Sequence, residues 1–463
     1  MNPMGECLTL NDLLMDARPV WFSKDGKVRP EWLAACEEER KQTKGLMERI
    51  IDPSNLQKAC KQVVQNAGSG GVDKMEVGEL QGWLTQNWKK LAEELLNGKY
   101  VPSPVKGIEI PKPQGGTRLL GIPTVKDRLV QQAILEILTP MYDKTFSDNS
   151  YGFRPKRNAH QALSKACQNV RDGHAIVVDI DLAKFFDEVN HHRLMWMLGT
   201  RIGDKRVLRL INSFLKTGIF LEGMESQRLK GTPQGSPLSP LLSNIVLDEL
   251  DQELQRRGHR FVRYADDLQI FVKTQESALR VQGSITTFIE TRMKLKVNHA
   301  KSAVRKCEEC NFLGHSLLKG GKLGLGKKSE QRLKDKIREV TKRNKGESFE
   351  TIILKLQPIL RGWLQYYKYA NMSKKLQAIE SWLRRKLRCY RLKQCKRVIG
   401  IVRFLTSLKV GKKLSWKTAL SGKGWWRLSK SPALSIGMNN AWFKNHGLFG
   451  LTENYKKMHS NPI

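Results

Sequence analysis

The sequence predicts an α+β fold, in which a mixed region of strands and helices is followed by an all-α, basic region. Residues 1–100 carry apolar side chains at spacings of three and four, which is typical of amphipathic helices. Short β-like runs broken by Pro and Gly begin near residue 101, as in VPSPVKGIEIPKPQGGTRLLGIP. From residue 326 onward the helical spacing returns, now with dense Lys and Arg.

Four segments follow from these changes of pattern. Residues 1–95 are predicted to form a helical N-terminal extension, and residues 96–325 the mixed region. Residues 326–420 are predicted to be a basic helical domain, and residues 421–463 a basic, aromatic tail that is a candidate for nucleic-acid binding. A chain of 463 residues is long enough for roughly two to four domains of ordinary size.

The excess of positive charge lies mainly in the last third of the chain. The whole sequence has 81 Lys and Arg against 45 Asp and Glu, a net charge of +36, and residues 321–463 alone hold 34 against 7. Such a field attracts a polyanion, and nucleic acid is the partner that fits it best. A membrane is not expected as a partner, because no run of about 18 apolar residues occurs.

The N-terminus and the cysteines predict a cytoplasmic location. MNPMGECLTLNDLL lacks the basic segment and apolar core of a secretory signal. Eight Cys are scattered along the chain, and the close pair at metal-site spacing is Cys307 and Cys310. A structural zinc ion needs four ligands and no second pair follows, so two ordinary reduced cysteines are the simpler interpretation.

Two pairs of aspartates interrupt strand-like runs. Residues 175–189 predict a buried strand leading into a helix, with Asp179 and Asp181 on one strand face. RFVRYADDLQIFVK predicts two strands joined by a tight turn that contains Asp266 and Asp267. Taken alone, each pair is more often a solvated strand end. If the two strands are neighbours, Asp181, Asp266 and Asp267 converge, and divalent cations that also bind phosphates would relieve their repulsion.

The remaining elements are read from periodicity. A helix is predicted across 276–294, and short strands with interspersed Gly across 295–325. In the basic region one helix carries a single apolar stripe opposite a face of Arg and Lys, and the stripe consists of Leu376, Ile379, Leu383 and Leu387.

Eight sequence motifs occur in an order that resembles a known family. They are IPKPQGGTRLLGIPTVKDRLVQQAI, YGFRPKRNAHQAL, VVDIDLAKFFDEVNH, KGTPQGSPLSPLLSNIVLDELD, RYADDLQIF, LKVNHAKS, FLGHSL and RGWLQYY. YADD resembles the catalytic hairpin of reverse transcriptases, and the whole order resembles a group II intron-encoded reverse transcriptase over roughly residues 50 to 430. The resemblance implies a right-hand polymerase, with fingers and palm built on the mixed sheet region and an all-α thumb, or maturase domain (domain X), after it.

The resemblance also implies a metal site. Asp181 and Asp266 would bind two Mg²⁺ ions, for which Mn²⁺ is an alternative, and the carbonyl of Leu182 would contact one of them. Asp267 would support the pair. Two such ions about 3.5–4 Å apart activate an attacking hydroxyl and stabilise a leaving oxygen in phosphoryl transfer.

The resemblance implies six residues for the incoming nucleotide, and Leu182 is one of them. Phe186 corresponds to a steric gate against a ribose 2′-OH, with an ordinary core Phe as the alternative. Gln234 corresponds to a nucleotide contact, although PQGSP also suits a plain turn. Lys112 and Arg118 flank a Gly-rich loop that would grip the triphosphate, and a surface turn is the alternative. Lys301 corresponds to a Lys near the leaving pyrophosphate, and an ordinary surface Lys remains open.

Nucleic-acid contacts are predicted with less detail. Arg154 is predicted to line the template or nucleotide path. Six cations of one basic helix are predicted to bind RNA phosphates, because so many like charges repel one another on a free face. They are Arg384, Arg385, Lys386, Arg388, Arg391 and Lys393. In RGWLQYY, at least two of Trp363, Tyr366 and Tyr367 are expected to be core residues.

These features predict an RNA-directed DNA polymerase that also acts as a maturase for its parent intron RNA and supports intron mobility by target-primed reverse transcription. The expected partners are the intron RNA, an RNA template with a DNA primer, target DNA and dNTPs, and a homodimer is left open. No HNH endonuclease is expected, since His446 and His459 lack matching Cys pairs. The alternatives are an RNA-binding splicing cofactor with little polymerase activity, and a domesticated or defence reverse transcriptase.

Overall fold

The computed structural model of the chain describes residues 37–111, 116–221, 224–226 and 230–460. These residues form two compact units, Met1–Lys306 and Cys307–Ile463. Within the first unit, two four-stranded sheets are surrounded by helices. The second unit is a helical assembly with one small sheet.

Ten α-helices of the first unit lie wholly within the described residues. They are α1 Leu46–Ile50, α2 Pro53–Asn66, α3 Leu80–Leu96, α4 Val125–Asp143, α5 Ala159–Arg171, α6 Phe185–Glu188, α7 His191–Gly199, α8 Lys205–Lys216, α9 Ser239–Arg256 and α10 Gln275–Thr287. Side-chain caps begin several of them. Thr124 accepts a hydrogen bond from the Asp127 backbone N–H at the start of α4, and Asn158 and Gln161 form a capping box at the start of α5.

The strands of the first unit form two sheets. They are β1 Val105–Pro111, β2 Thr117–Ile122, β3 Ile176–Ile180, β4 Ile219–Leu221, β5 Met224–Ser226, β6 Arg260–Tyr264, β7 Asp267–Val272 and β8 Ala303–Lys306. One sheet has the order β2-β1-β4-β5, and the other has the order β6-β7-β3-β8. In the second sheet all three pairings are antiparallel, and β3 lies between β7 and β8.

The β6-β7-β3-β8 sheet is the part of the fold that positions the acidic site. Phe261, Ile270 and Val178 are completely buried in it. Each such side chain contributes about 1.5–3 kcal/mol through burial, so the register of these strands is strongly fixed. A one-residue slip would turn this apolar set to the opposite face. The side chains at the strand ends are therefore held at fixed positions relative to one another.

The second unit begins with a three-stranded sheet and continues as helices. Its strands are β9 Asn311–Phe312, β10 His315–Leu318 and β11 Lys322–Leu325. Its helices are α11 Lys327–Val340, α12 Phe349–Tyr367, α13 Ser373–Gln394, α14 Val398–Ser407, α15 Lys412–Ala419, α16 Trp425–Leu428, α17 Pro432–Gly437, α18 Asn440–Asn445 and α19 Leu451–Ser460.

Hydrogen bonds connect the small sheet to the helices of the second unit. The Tyr366 hydroxyl donates to the carbonyl of Leu313 at 3.0 Å, and the Asn371 backbone N–H donates to Leu323 at 2.7 Å. The compact unit therefore begins at Cys307, earlier in the chain than the boundary predicted between residues 325 and 326. The strands near residue 315 have the Gly-rich pattern of the preceding region, and their packing partners could not be read from that pattern.

The core of the second unit matches the predicted stripe and extends beyond it. Leu376, Ile379, Leu383 and Leu387 on α13 are all buried. Trp363 and Tyr367 on α12 pack against the same core, as expected for two of the three aromatics. The predicted tail also contributes to this core, through Leu428, Leu434, Phe443 and Leu451. None of the described helices combines the length and the apolar character needed to span a membrane.

A half-buried acid on α9, Asp248, makes the stability of the first unit depend on pH. Burial, together with the negative charge of Asp251, raises the pKa of Asp248 from 3.8 to about 7. An unfolded chain ionises this group near pH 4 and the folded chain near pH 7, so stability falls as the pH rises between these values. Asp248→Asn is therefore expected to raise the melting temperature by a few degrees at pH 8, with little or no gain at pH 4.

Thermal unfolding at the two pH values measures this prediction. Asp148→Asn is the matched control, because the Asp148 side chain is 88% exposed. An Asp248→Asn gain of the same size at pH 4 and at pH 8 would contradict the assignment of the titrating group.

Candidate active site

The predicted metal-binding acids meet at one end of the β6-β7-β3-β8 sheet. Asp181 follows the last residue of β3, and Asp267 is the first residue of β7. These two strands are antiparallel neighbours, with Ile180 opposite Leu268. The sequence predicts that the aspartates converge if their two strands are neighbours. β3 and β7 pair directly, so this condition is met.

Asp181 is held in place by the NHAKS segment that follows α10. The Asn298 side-chain amide donates to Oδ2 of Asp181 at 2.8 Å, and Lys301 Nζ lies 3.6 Å from the same oxygen. The Asp181 backbone N–H donates to the Ser302 hydroxyl at 3.0 Å. The Asp181 side chain remains 34% exposed, so it is oriented and still accessible. Lys301, one of the predicted site residues, is therefore placed directly beside the first acid.

Asp266 lies in the two-residue turn that joins β6 to β7. Tyr264 pairs with Asp267 across this turn. Ala265 has φ +56°, a conformation that costs a non-glycine residue about 1 kcal/mol or more. The turn therefore places the Asp266 carboxyl group at the tip of the hairpin. The strained backbone of Ala265 requires a stabilising contact.

The stabilising group is Arg263, which sequence reasoning did not identify. Its guanidinium donates to the carbonyl of Ala265 at 2.9 Å and forms an ion pair with Asp251 at 2.5 Å. Both side chains are 0% exposed. Two further groups accept from it, the Asn244 amide oxygen and the Ser150 hydroxyl. The sequence contains one indication of this role. Arg263 lies in the apolar run FVRY on the same strand face as the buried Phe261, which indicates a buried Arg beside the turn.

The surroundings of the hairpin disfavour negative charge on its carboxyl groups. Burial raises the pKa of Asp266, and the nearby negative charge of Asp181 raises it further. Desolvation by the surrounding protein, with the charges of Asp266, Asp179 and Asp181, raises the pKa of Asp267 to about 6. The positive charge of Arg118 acts on Asp266 in the opposite direction. The acids therefore repel one another, and a bound cation would relieve this repulsion.

The donor set at this site fits Mg²⁺. Carboxylate oxygens of Asp181 and Asp266 and the carbonyl of Leu182 are hard ligands of the kind that Mg²⁺ prefers. Among the described residues, no group of three or more His, Cys, Asp or Glu side chains is arranged to enclose a metal ion. Mg²⁺ commonly binds through one or two carboxylates and completes its shell with waters and substrate phosphates. A site of two carboxylates is consistent with that mode of binding.

The predicted nucleotide-binding residues are partly brought together. Phe186 and Gln234 line one cavity of about 490 Å³, although they lie 48 positions apart in the sequence. The backbone of Phe186 fixes this arrangement, since its carbonyl accepts from the Thr232 N–H at 2.6 Å. Arg118 on β2 acts electrostatically on Asp266. Lys112 lies outside the described residues.

Removal of the Phe186 ring is expected to weaken discrimination between deoxyribonucleotides and ribonucleotides. The half-buried ring packs edge-on against Phe185 at 5.4 Å and faces the cavity, so Phe186→Val opens space without exposing the core. We expect the preference for dCTP over rCTP to fall roughly 10- to 100-fold, the range for a pocket that excludes one hydroxyl. Competing single-nucleotide insertion measures it. An unchanged preference in a variant that still inserts dCTP would assign Phe186 to the core.

The structure corrects the prediction for Arg154. Its guanidinium is buried, forms an ion pair with Asp143 at 2.6 Å and donates to the carbonyls of Ser147 and Ser150. All of these partners belong to the loop and helix around it, so the side chain is not available to a nucleic acid. The basic residue in YGFRP serves to fix the loop, and a sequence pattern does not distinguish a buried cation from an exposed one.

The structure also corrects the prediction that the basic face of α13 is exposed to RNA. Arg385 stacks on Trp426 at 3.7 Å and donates to its carbonyl at 2.9 Å. Arg388 donates to the Met438 carbonyl at 2.8 Å, and Arg391 packs over Phe404. Arg384 lies 3.7 Å from Glu380. Arg385, Arg388 and Arg391 hold later segments onto α13, whereas the partner of Arg384 lies on α13 itself.

Two of the six predicted cations line a basic recess in the second unit. Lys386 and Lys393 face a cavity of about 690 Å³, and its other lining residues include no acid. They are Arg338, Thr341, Lys342, Arg343, Asn344 and Trp425. The recess has the charge, hydrogen-bond donors and aromatic surface that suit an RNA phosphate backbone.

Comparison with known proteins defines the class. The family described as "Reverse transcriptase (RNA-dependent DNA polymerase)" matches residues 110–317, and "Group II intron, maturase-specific domain" matches residues 330–403. The first match contains both strands that carry the acids. The chain is therefore a reverse transcriptase, an RNA-directed DNA polymerase, by class.

Individual relatives narrow the class to a family. The chain is 31% identical to Protein YkfC of Escherichia coli (strain K12) over 315 residues, which is 59% of this chain and 83% of YkfC. It is 29% identical to the group II intron-encoded protein LtrA of Lactococcus lactis subsp. cremoris over 51% of this chain, and it spans half the length of LtrA. The chain belongs to the group II intron-type reverse transcriptases and maturases.

Solved structures include similar chains. One from a partial Cas6-RT-Cas1–Cas2 complex is 25% identical, with a TM-score of 0.35 over 53% of this chain and 42% of its own length. A telomerase chain from Candida albicans is 14% identical, with a TM-score of 0.41 over 83% of this chain and 71% of its own length.

Proposed function

We propose that this protein copies RNA into DNA at the site formed by Asp181 and the β6–β7 hairpin, and that it assists the splicing of its parent intron RNA. The observation that carries the polymerase part is the pairing of β3 with β7, which brings Asp181 beside Asp266 and Asp267. The reaction adds a deoxynucleotide to a DNA 3′-OH and releases pyrophosphate. Two Mg²⁺ ions, held by Asp181, Asp266 and the Leu182 carbonyl, would supply charge stabilisation for the attacking and leaving oxygens.

The other site residues have distinct roles in this proposal. Asn298 holds the Asp181 carboxylate in one orientation through a 2.8 Å hydrogen bond. Lys301, which is close to the same carboxylate, provides positive charge where the pyrophosphate departs. Arg118, together with Lys112, would bind the triphosphate. Phe186 would exclude ribonucleotides, and Gln234 would contact the incoming nucleotide beside it.

The maturase role belongs to the second unit. The net positive charge of residues 321–463 and the basic recess around Lys386 and Lys393 support binding to structured RNA through phosphates and shape. The intron RNA would carry the splicing chemistry, and the protein would stabilise its active fold. Mobility by target-primed reverse transcription, with target DNA as a further partner, combines both roles. A cytoplasmic location and homodimer formation stay predictions.

A splicing assay separates these roles. A transcript of the gene's flanking RNA would be incubated at low Mg²⁺ concentration with the wild-type protein or with Asp266→Asn. We expect both proteins to accelerate splicing and the wild type alone to make cDNA from the same RNA. If neither protein changes the splicing rate while the wild type makes cDNA, the maturase proposal fails and a domesticated or defence reverse transcriptase becomes the better description.

A further inference from the structure

A cavity of about 1070 Å³ in the first unit has no role in the proposed function. It lies between the segment that precedes β1 and the two helices α7 and α8. Its lining contains none of Asp181, Asp266 and Asp267. We call this space the α7–α8 cavity.

The lining of the α7–α8 cavity combines apolar surface with positive charge. Arg209 and Lys216 lie seven positions apart on α8, which places them on the same helix face. Both are exposed, and neither has an ion pair among the residues that the structure describes. The lining contains no Asp or Glu. Its apolar part consists of Val101, Pro102, Pro104, Met195 and Leu208.

Val101 is an apolar residue that the fold holds in an exposed position. It is 82% exposed. The backbone beside it is fixed, because the Ser103 N–H donates to the Asp127 carboxylate at 3.2 Å and the Val105 N–H donates to the Gly218 carbonyl at 2.8 Å. A large apolar side chain that is fixed at the edge of an apolar cavity favours a partner that covers both.

The N-terminal segment of the chain has the complementary composition. The first 17 residues contain Glu6, Asp12 and Asp16 but no Lys or Arg, although the whole chain has a net charge of +36. The apolar residues among them include Leu8, Leu10, Leu13, Leu14 and Met15. The segment therefore matches the cavity both in charge and in apolar character.

The described part of the chain begins beside α7 and α8. Glu39 forms an ion pair with Arg201 at 2.6 Å, and the Gly203 N–H donates to the Thr43 hydroxyl at 2.8 Å. Both partners lie in the connection between α7 and α8, and α8 has 12 residues, a length of about 18 Å. The 20 residues 17–36 can span up to about 70 Å. The N-terminal segment can therefore reach the cavity within the same chain.

An RNA backbone fits this cavity less well than an acidic peptide. The basic recess of the second unit is lined by five cations, whereas the α7–α8 cavity presents two, with His192 beside them. Phosphates gain from dense positive charge and little from valine, proline and leucine surfaces. A peptide with a few carboxylates between apolar side chains satisfies both parts of the lining.

We propose that residues 6–16 of this chain bind in the α7–α8 cavity. The leucine side chains cover Val101 and the neighbouring prolines, and the carboxylates of the segment neutralise Arg209 and Lys216. The bound segment also keeps this surface from nucleic acid, so RNA is left to the other basic surfaces. The proposal does not depend on the polymerase function.

Photocrosslinking in the full-length protein tests the proposal. Leu13 would be replaced by the photoreactive amino acid benzoylphenylalanine, and the cross-linked peptides of the monomer would be mapped by mass spectrometry. We expect cross-links to residues 101–104 and 208–218. The variant Arg209→Glu, Lys216→Glu should lower their yield roughly 5- to 30-fold at low salt, because two exposed ion pairs become two repulsions. Lys61→Glu, Lys90→Glu is the matched control, because both lysines are exposed and lie outside the cavity.

A charge exchange keeps the test independent of protein folding. Adding Asp12→Lys and Asp16→Lys to the Arg209→Glu, Lys216→Glu protein should restore the cross-links, which a misfolded cavity would not do. The proposal is overturned if the Arg209→Glu, Lys216→Glu protein cross-links at the full yield, or if the cross-links map elsewhere. Cross-links that join two copies would assign the cavity to a second chain, and cross-linking of intron RNA to residues 208–218 in their place would assign it to RNA; either result overturns the proposal.

Discussion

Asp266→Asn is expected to reduce RNA-templated primer extension roughly 10³-fold, the loss that follows when several kcal/mol of charge stabilisation are removed. The amide keeps the size of the carboxyl group and its place in the turn, but it lacks the negative charge that would bind metal. The same substitution should leave the fold intact or slightly stabilise it. The reason is that burial and Asp181 already disfavour a charge at this position, as the raised pKa of Asp266 indicates.

The two readouts must be measured on the same protein sample. Single-turnover primer extension gives the rate of nucleotide addition, and thermal unfolding gives the stability. Asp172→Asn is the control, because it also removes a carboxylate from the first unit but lies at the end of α5, ion-paired with Arg260. A rate for Asp266→Asn within tenfold of the wild type would contradict a metal-binding role for this carboxylate.

The second large effect concerns stability. Arg263→Met should destabilise the first unit by about 3–5 kcal/mol, because it leaves the completely buried Asp251 charged and without its cation. The variant also removes the hydrogen bond to the Ala265 carbonyl, so the strained hairpin turn loses its support. Denaturant unfolding measures the change in free energy, and activity should fall in the fraction that remains folded.

Two further variants show whether the buried charge is the cause. Arg260→Met on the same strand breaks an exposed ion pair with Asp172 and should cost about 1 kcal/mol or less. The double variant Arg263→Met, Asp251→Leu should recover part of the lost stability, since replacing both members of a buried pair by apolar groups is often tolerated. If Arg263→Met is no worse than Arg260→Met, the buried network does not have this role.

The sequence predicts the α+β class and the acidic site well because both depend on local pattern. The alternation of apolar and polar residues in FVRYADDLQIFV predicts two strands and a turn that contains Asp266 and Asp267. Asp181 follows a second apolar strand, and this position predicts the other half of the acidic site. Only the pairing of β3 with β7 had to be supplied by the structure. Short-range periodicity is sufficient for such elements, since each strand is defined by its own side chains.

The basic residues show where local pattern is insufficient. Arg154 and Arg385 have the same sequence character as any exposed cation, yet the structure surrounds both with internal acceptors or an aromatic ring. Their partners come from other segments: Asp143 lies eleven residues before Arg154, and Trp426 is 41 residues after Arg385. Whether a cation is covered depends on which later helix packs over it. That information lies in tertiary contacts, which one sequence does not reveal.

The most direct measurement compares primer extension by wild type, Asp181→Asn, Asp266→Asn and the double variant, with RNA binding measured on the same samples. The substrate is an RNA template with a DNA primer, dNTPs and Mg²⁺. If the two acids form one site, the wild type makes cDNA, each single variant loses nearly all activity, and the double variant loses little more. A wild-type protein that binds the RNA tightly and makes no cDNA would contradict the account and favour an RNA-binding splicing cofactor.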